Sequence, residues 1–450
     1  MVEYTDVVNT GAAWLPQIPA HWQLRRIKYS FDERSEKGYP DEPLLVASQN
    51  MGVVPKSVYG KRTVEATKDL DKLKLVMIGD YVVSLRSFQG GLEYAYYQGI
   101  ISPAYTIMKP HYDFQSDYYK FLFKSAPFIK LLTTCVTGIR EGQNIDYGKL
   151  KNNMIPVPPR TEQDQIVRFL DWKVSEINKL IGIRRKEISE FNELILKIAD
   201  TYVTHGTRRP VDYQCTGIDW APEIPTNWSL SKIRHHFEIK KRIAGSDGYD
   251  VFSVTQKGLK VRDIHLYEGQ LAADYSGYQF VQEGEFAMNH MDLLTGGVGI
   301  ADHLGVTSPD YRVFRLFDTE HCYAPYFLKI LQLCYRRHAF YRFGHGAANV
   351  GRWRLPADAF LNFQIPLPPY EEQVEIVQKI AAVQGRIDAE VESLRKQIEE
   401  LEELKSVVVS DVVTGKIDVR GIAVPQYEHI DDIAEDDSED VKEETNGEEE

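Results

Sequence analysis

Cysteine is scarce in this chain: four among 450 residues, Cys135, Cys215, Cys322 and Cys334. No two form a CxxC pair, so a disulfide scaffold is excluded and a reducing compartment is expected. Long apolar runs are missing as well. Residues 1–14 hold no basic stretch followed by a hydrophobic one, and nowhere do 18 apolar residues run together. Neither export nor a membrane span is expected, and the chain reads as cytoplasmic. Cofactor loops are equally absent. Gly415-Lys416 is followed by Ile417 and lacks the upstream glycine of a phosphate loop, and Gly296-Gly297-Val298-Gly299 lacks the third glycine of a dinucleotide fingerprint. A zinc set of His321, Cys322, Cys334 and His338 can be drawn, but its spacing follows no standard ligand pattern; buried thiols are the expectation, with no metal and no catalytic residue.

What is present is enough chain for about three domain lengths. Hydrophobic residues make up 43%, aromatics 11% and charged residues 26%, the proportions of a folded protein. The net charge of -13 is unevenly spread: residues 421–450 hold 13 acidic side chains and one lysine, so all but one unit of it belongs to the tail. A block of like charge without hydrophobic periodicity is expected to be disordered.

The chain is written twice. Trp14-Leu15-Pro16-Gln17-Ile18-Pro19-Ala20-His21-Trp22 returns 206 residues later as Trp220-Ala221-Pro222-Glu223-Ile224-Pro225-Thr226-Asn227-Trp228. The same offset relates Phe31 to Phe237, Gly90-Gly91 to Gly296-Gly297 and Ser102-Pro103 to Ser308-Pro309. Ile155-Pro156-Val157-Pro158-Pro159 and Glu162-Gln163 recur as Ile365-Pro366-Leu367-Pro368-Pro369 and Glu372-Gln373, now offset by 210. Repetition of this kind sets the architecture before any motif is considered.

After each double proline a long helix is expected. Thr161 serves as N-cap with Asp164 at the capping-box position, and apolar residues then follow at alternating three and four spacing, with Arg184 the one break: Leu170, Val174, Ile177, Ile181, Ile188, Phe191, Ile195, Ile198 and Tyr202. The second copy runs Ile380, Ile387, Val391, Leu394, Ile398, Leu401 and Val408, with Gln384 and Lys405 as interruptions. Gly206 and Gly415 are the stops, and at 1.5 Å per residue each helix is about 60 Å long. Each apolar stripe needs a partner, and its own repeat, running antiparallel, is the simplest one. Between the tryptophan motifs and the helices lie short β-rich runs, such as Tyr81–Leu85 and Tyr311–Phe317, with further helices expected at Ser116–Leu132 and Ala324–Tyr341. The fold class is therefore α+β: two tandem-repeated domains separated by two long antiparallel coiled-coil helices, pseudo-twofold symmetric. The expected boundaries are 1–155 and 207–365 for the domains, 156–206 and 366–420 for the helices, and 421–450 for the acidic tail.

Leu367-Pro368-Pro369-Tyr370 looks like the Asn/Asp-Pro-Pro-Tyr loop of adenine-directed amino-methyltransferases, but leucine cannot accept the hydrogen bond that the first position must take. Binding chemistry is better represented. Basic, amide and hydroxyl side chains stand beside glycines at matching places in both halves: Arg86, Ser87 and Gln89; Arg140 and Gln143; Asn289 and His290; His345, Asn349, Arg352 and Arg354. Arginine reads guanine and asparagine or glutamine reads adenine through paired hydrogen bonds. Lys56, Lys257 and Lys260, with Lys61, Arg62, Lys240, Lys241, Arg242 and Arg262, are candidates for phosphates, which position without specifying.

The order of WxPxIPxxW, variable β-rich domain, Ile-Pro-hydrophobic-Pro-Pro, Glu-Gln and long helix, with Gly138-Ile139-Arg140-Glu141-Gly142, resembles the DNA-specificity subunits of type I restriction-modification systems over residues 14 to about 420. The resemblance implies two target-recognition domains, each reading one half of a split double-stranded DNA sequence and held apart by the helices. It implies no catalysis and no bound cofactor in this chain. Two modification subunits would methylate adenine with S-adenosylmethionine, and restriction subunits, where present, would use ATP and Mg to translocate and cut. A coiled-coil scaffold that binds no DNA and a stand-alone adenine methyltransferase stand as the alternatives.

Overall fold

The computed structural model describes residues 2–59, 69–85, 87–114, 116–137, 144–208, 212–262, 274–345 and 353–430. They form two compact units, one from residues 1–186 with the stretch beginning at Leu394, the other from residues 187–393. Each unit therefore takes part of both long helices, which divides the helical segments expected as separate pieces.

In the first unit a four-stranded antiparallel sheet orders Glu93–Tyr94, Tyr81–Val83, Thr106–Pro110 and Phe31–Arg34. Strand alternation sorts the side chains onto two faces. Phe31, Tyr81, Val83 and Met108 enter a core with Phe114, Tyr119 and Phe123, whereas Val82 and Ile107 enter a second one with Leu45, Val53, Val76 and Ile101. The aromatic core is built from edge-on pairs, Phe31 with Tyr81 at 5.9 Å and Tyr81 with Phe123 at 5.0 Å between ring centroids. The helix expected at Ser116–Leu132 is two, Tyr118–Lys124 and Ala126–Thr134. Ser125 between them is extended, and Pro127 lies in the first turn of the second helix, where its missing N–H costs nothing.

The second unit repeats this plan. Its sheet orders Phe237–Lys240, Arg312–Leu316, Phe286–Met288 and Val298–Ile300, and the registers match: Met288 faces Arg312 as Val83 faces Thr106. Phe237, Phe286, Met288 and Phe314 join the larger core, while Ala287 and Val313 face the smaller one. The helix expected to reach Tyr341 stops at Arg336, where His338 turns to a positive φ of 50°.

The Ile-Pro-hydrophobic-Pro segments have a clear structural role. Met154–Val157 pairs antiparallel with Gln23–Arg26, and Gln364–Leu367 with Ser229–Lys232, which ties each tryptophan motif to the start of its long helix. The helices span Arg160–His205 (46 residues) and Tyr370–Val413 (44 residues). Thr161 is inside the first turn and is not the cap: the Pro159 carbonyl takes the first backbone bonds, from Glu162 and Gln163. The glutamine of each Glu-Gln pair is buried, and its amide donates to a proline carbonyl, Gln163 to Pro158 at 2.8 Å and Gln373 to Pro368 at 2.9 Å.

Within each unit the helix segments run antiparallel. In the first, Asn178 meets Lys405 and Arg185 meets Glu402, so partner numbers fall as helix numbers rise. In the second, Ile195, Ile387 and Val391 form a buried seam with Ile188, Phe191 and Val383. Each domain is also closed by the end of a helix. Tyr118 donates its hydroxyl to Val413 O (2.6 Å) in the first unit, and Tyr326 does the same to Val203 O (3.3 Å) in the second. Ile417–Asp418 then pairs with Val2–Glu3.

The start of the acidic tail is ordered, contrary to expectation. Ile422 and Val424 pack on the first core, Gln165 donates to Val419 O and Ile422 O, and Asn178 donates to Ile430 O. Acidic residues are sparse in this stretch, Glu428 being the only one before Asp431, so little repulsion opposes its docking. Residues 431–450 lie outside the described ones. Among the described residues no helix is long and apolar enough to cross a membrane.

Candidate nucleic-acid interface

In the second domain three segments meet. The hairpin of Phe252–Thr255 and Gly258–Val261 carries exposed Lys257 at its turn and exposed Lys260 on its strand. Its turn lies against the loop after Met288: Gln256 Nε2 donates to Thr295 O at 3.2 Å, and a Cβ on Gly297 would fall 2.1 Å from Thr255 O. Glycine is required there because the two backbones approach too closely for a side chain. Asn289 is held by its backbone, donating to Gly297 O at 3.0 Å and accepting from Tyr335 Oη at 2.7 Å.

The third segment brings His345 and Arg354 together through a backbone bridge of 2.9 and 3.1 Å. Leu355 next to it donates its N–H to His290 O at 2.8 Å and accepts from Arg312 Nη2 at 2.7 Å. One residue thus clamps the ends of two neighbouring strands. A cleft of about 220 Å³ opens here, with Lys240, Lys241, His290, Asp310, Arg312 and Arg354 in its lining.

The electrostatics of this cleft are one-sided. Burial, reinforced by Arg312, Arg354 and Lys241, lowers the His290 imidazole to about 4 against the opposing pull of Asp310, so the ring is neutral at pH 7. Burial also lowers the Arg312 guanidinium to about 10, leaving it charged at neutral pH. Arg312 was not singled out from the sequence. The available signal was an arginine opening the strand Arg312–Leu316 at the position where the first half has Thr106.

The first domain has a similar frame with different contents. The hairpin of Leu45–Ser48 and Gly52–Pro55 has Gln49 in its turn, packed 2.8 Å from where a Gly90 Cβ would stand. Lys124 donates to Gln49 O at 3.0 Å and to buried Glu93 at 2.7 Å. Burial pushes the Glu93 carboxyl up to about 7, with Lys124 opposing. Ser87 is buried, and its hydroxyl accepts from Ser84 N at 2.8 Å, so it shapes the loop from inside; Gln89 is exposed, and Lys56 is half-buried where the short helix Lys56–Tyr59 starts. Arg86, Arg140, Gln143, Asn349 and Arg352 lie outside the described residues, as do Lys61, Arg62 and the 138–142 motif.

The zinc set drawn from the sequence does not describe the cluster found. Cys322 Sγ lies 3.2 Å from His236 Nδ1, which is 2.8 Å from Asp318 Oδ2, and this trio has metal-ligand spacing. Hydrogen bonding accounts for it, since His236 Nε2 is also occupied, by the Ser231 hydroxyl at 2.7 Å. Burial pushes the Cys322 thiol up to about 12, so it is protonated at neutral pH. Cys135, Cys322 and Cys334 are buried as expected; Cys215 is exposed.

Scaffold and loops together define a class: tandem α+β domains with matched loop frames and unlike loop chemistry, each joined to a pair of long helices. Residues 271–403 match the type I restriction modification DNA specificity domain. The chain is 25% identical over 345 residues to the type I restriction enzyme MjaVIII specificity subunit of Methanocaldococcus jannaschii, covering 72% of this chain and 76% of that one. It is 23% identical over 457 residues to a protein of the same organism provisionally described as the MjaX specificity subunit, covering 93% and 99%. A chain solved in a study of complex assembly and conformational transition of the type I R-M system superposes with a TM-score of 0.59 at 14% identity, covering 89% of this chain and 99% of that one, a likeness that shows shared fold. The chain is thus similar in sequence to type I restriction-modification DNA-specificity subunits.

Proposed function

We propose that the chain is the sequence-reading, non-catalytic subunit of a type I restriction-modification complex in the cytoplasm. Each domain reads one half of a bipartite DNA target, and the helix pair sets the spacer and receives two modification subunits. The partners supply the chemistry, using S-adenosylmethionine and, where restriction subunits join, ATP and Mg. One observation carries this reading: the domains share strand register residue for residue, yet their loops differ in chemistry, with Asn289 and His290 following one strand where Ser84 and Leu85 follow its counterpart. A common frame with different loop residues suits recognition of two different half-sites.

The test is co-expression with modification subunits and mapping of modified adenines in host DNA, with and without this chain. A split motif that appears only with the chain supports the proposal. Methylation by the purified chain alone would favour the stand-alone enzyme, and failure of the complex to retard duplex DNA at low salt would favour the scaffold.

A further inference from the structure

The cleft of the second domain holds a buried cation to which, among the described residues, no carboxylate is hydrogen-bonded. Arg312 is 6% exposed, and its Nη1 has no hydrogen-bond partner among the described residues, although Nη2 is committed to Leu355 O. The Phe360 ring lies 5.1 Å from its Cζ and supplies no acceptor oxygen. His290 Nδ1 in the same lining is also buried without a hydrogen-bond partner among the described residues. A buried charged donor lacking an acceptor is disfavoured, and a ligand that completes it is correspondingly favoured. Lys241 and Arg354 add positive charge; Lys240 is answered by Glu238 at 2.5 Å, and Asp310 is the acidic residue in the lining.

We propose that this cleft is an anion site and that on duplex DNA it takes a single backbone phosphate, with Arg312 Nη1 donating to a phosphate oxygen and His290, Lys241 and Arg354 around it. The inference rests on the DNA-reading function proposed above. Phosphate is favoured over a base edge by donor geometry: arginine reads guanine with two parallel N–H groups, and Arg312 has one terminal nitrogen already engaged. The first domain lacks the site, having Thr106 and Leu85 at the corresponding strand positions. Only the second half-site is anchored in this way.

The test uses the assembled complex with Arg312→Met and, separately, Lys241→Gln, measuring duplex affinity across a salt series. Loss of one phosphate contact weakens binding to target and random duplex by the same factor and reduces the log–log salt slope by about 0.9. An unchanged slope, or an altered base preference in the second half-site, overturns the proposal while leaving the DNA-reading function standing. Should Arg312→Met fail to fold, the unaltered protein decides: inorganic phosphate is titrated while the His290 ring is followed by NMR, with Asp310 and Tyr311 as the other titratable groups nearby. An upward move of the His290 midpoint is expected, and none overturns the site. A phosphate response in a complex that binds no duplex would instead keep the anion site and refute the DNA reading.

Discussion

Shortening the helix pair by one heptad on each strand is the sharpest perturbation of the proposed spacer. Residues 188–194 hold Ile188 and Phe191 and residues 388–394 hold Val391, all members of one seam. Removing both sets brings Ile195 and Ile198 to the places of Ile188 and Phe191, and Ile398 and Leu401 to those of Val391 and Leu394. The apolar stripe is kept, with a phase error of about 20° for one heptad. Seven residues at 1.5 Å shorten the pair by about 10 Å, which equals about three base pairs at 3.4 Å each. Three base pairs also turn the second half-site by about 100° around the duplex, which the small helix rotation does not follow. The expected result is a spacer shorter by two or three base pairs, both half-sites unchanged and affinity reduced, read by mapping modified adenines. A spacer of the original length, made by a folded double deletion, would refute the helices as the ruler.

Three further outcomes follow. Glu162→Ala removes a buried carboxylate that accepts from Tyr4 Oη, Trp22 Nε1 (2.9 Å) and His21 Nε2 (2.7 Å), a loss of about 3–5 kcal/mol; Glu372→Ala removes one 3.2 Å bond from Asn227 and costs about 1 kcal/mol. Equal losses in urea denaturation followed by tryptophan fluorescence would contradict this. His290 titrates near 6.5 when unfolded and near 4 when folded, so the unfolded chain binds the proton first and stability falls as pH drops through that window. Partial exposure limits the fall to about 1 kcal/mol, and His290→Gln should flatten it; an unaltered stability profile from pH 7 to 4 would count against the assignment. Gly297→Ala drives a methyl into Thr255 O and should cost about 1–3 kcal/mol by displacing the hairpin, whereas thermal stability equal to wild type would show that the hairpin moves freely.

The duplication was legible because Trp14, Trp22 and the Ile-Pro segments are structural: they form the joints between strand and helix, where few residue types fit. The long helices were legible from an apolar stripe sustained well beyond a turn or two. Local breaks were less so. Extended Ser125 ends one helix and Pro127 sits in the first turn of the next, and periodicity alone does not separate that from a single longer element. The docked stretch 419–430 was hidden because its anchors are mostly backbone carbonyls, which carry no side-chain signature. Of the candidate site, the loops were found through their glycines, whereas Arg312 was missed because a strand residue reveals its burial only when its neighbours are placed.

Exchange of the second domain, residues 212–362, for that of a similar specificity subunit measures the central claim most directly, with modified adenines sequenced before and after. One half-site and the spacer should persist while the other half-site changes. Replacement of the entire motif, or retention of the original one, would contradict the assignment of one half-site to each domain.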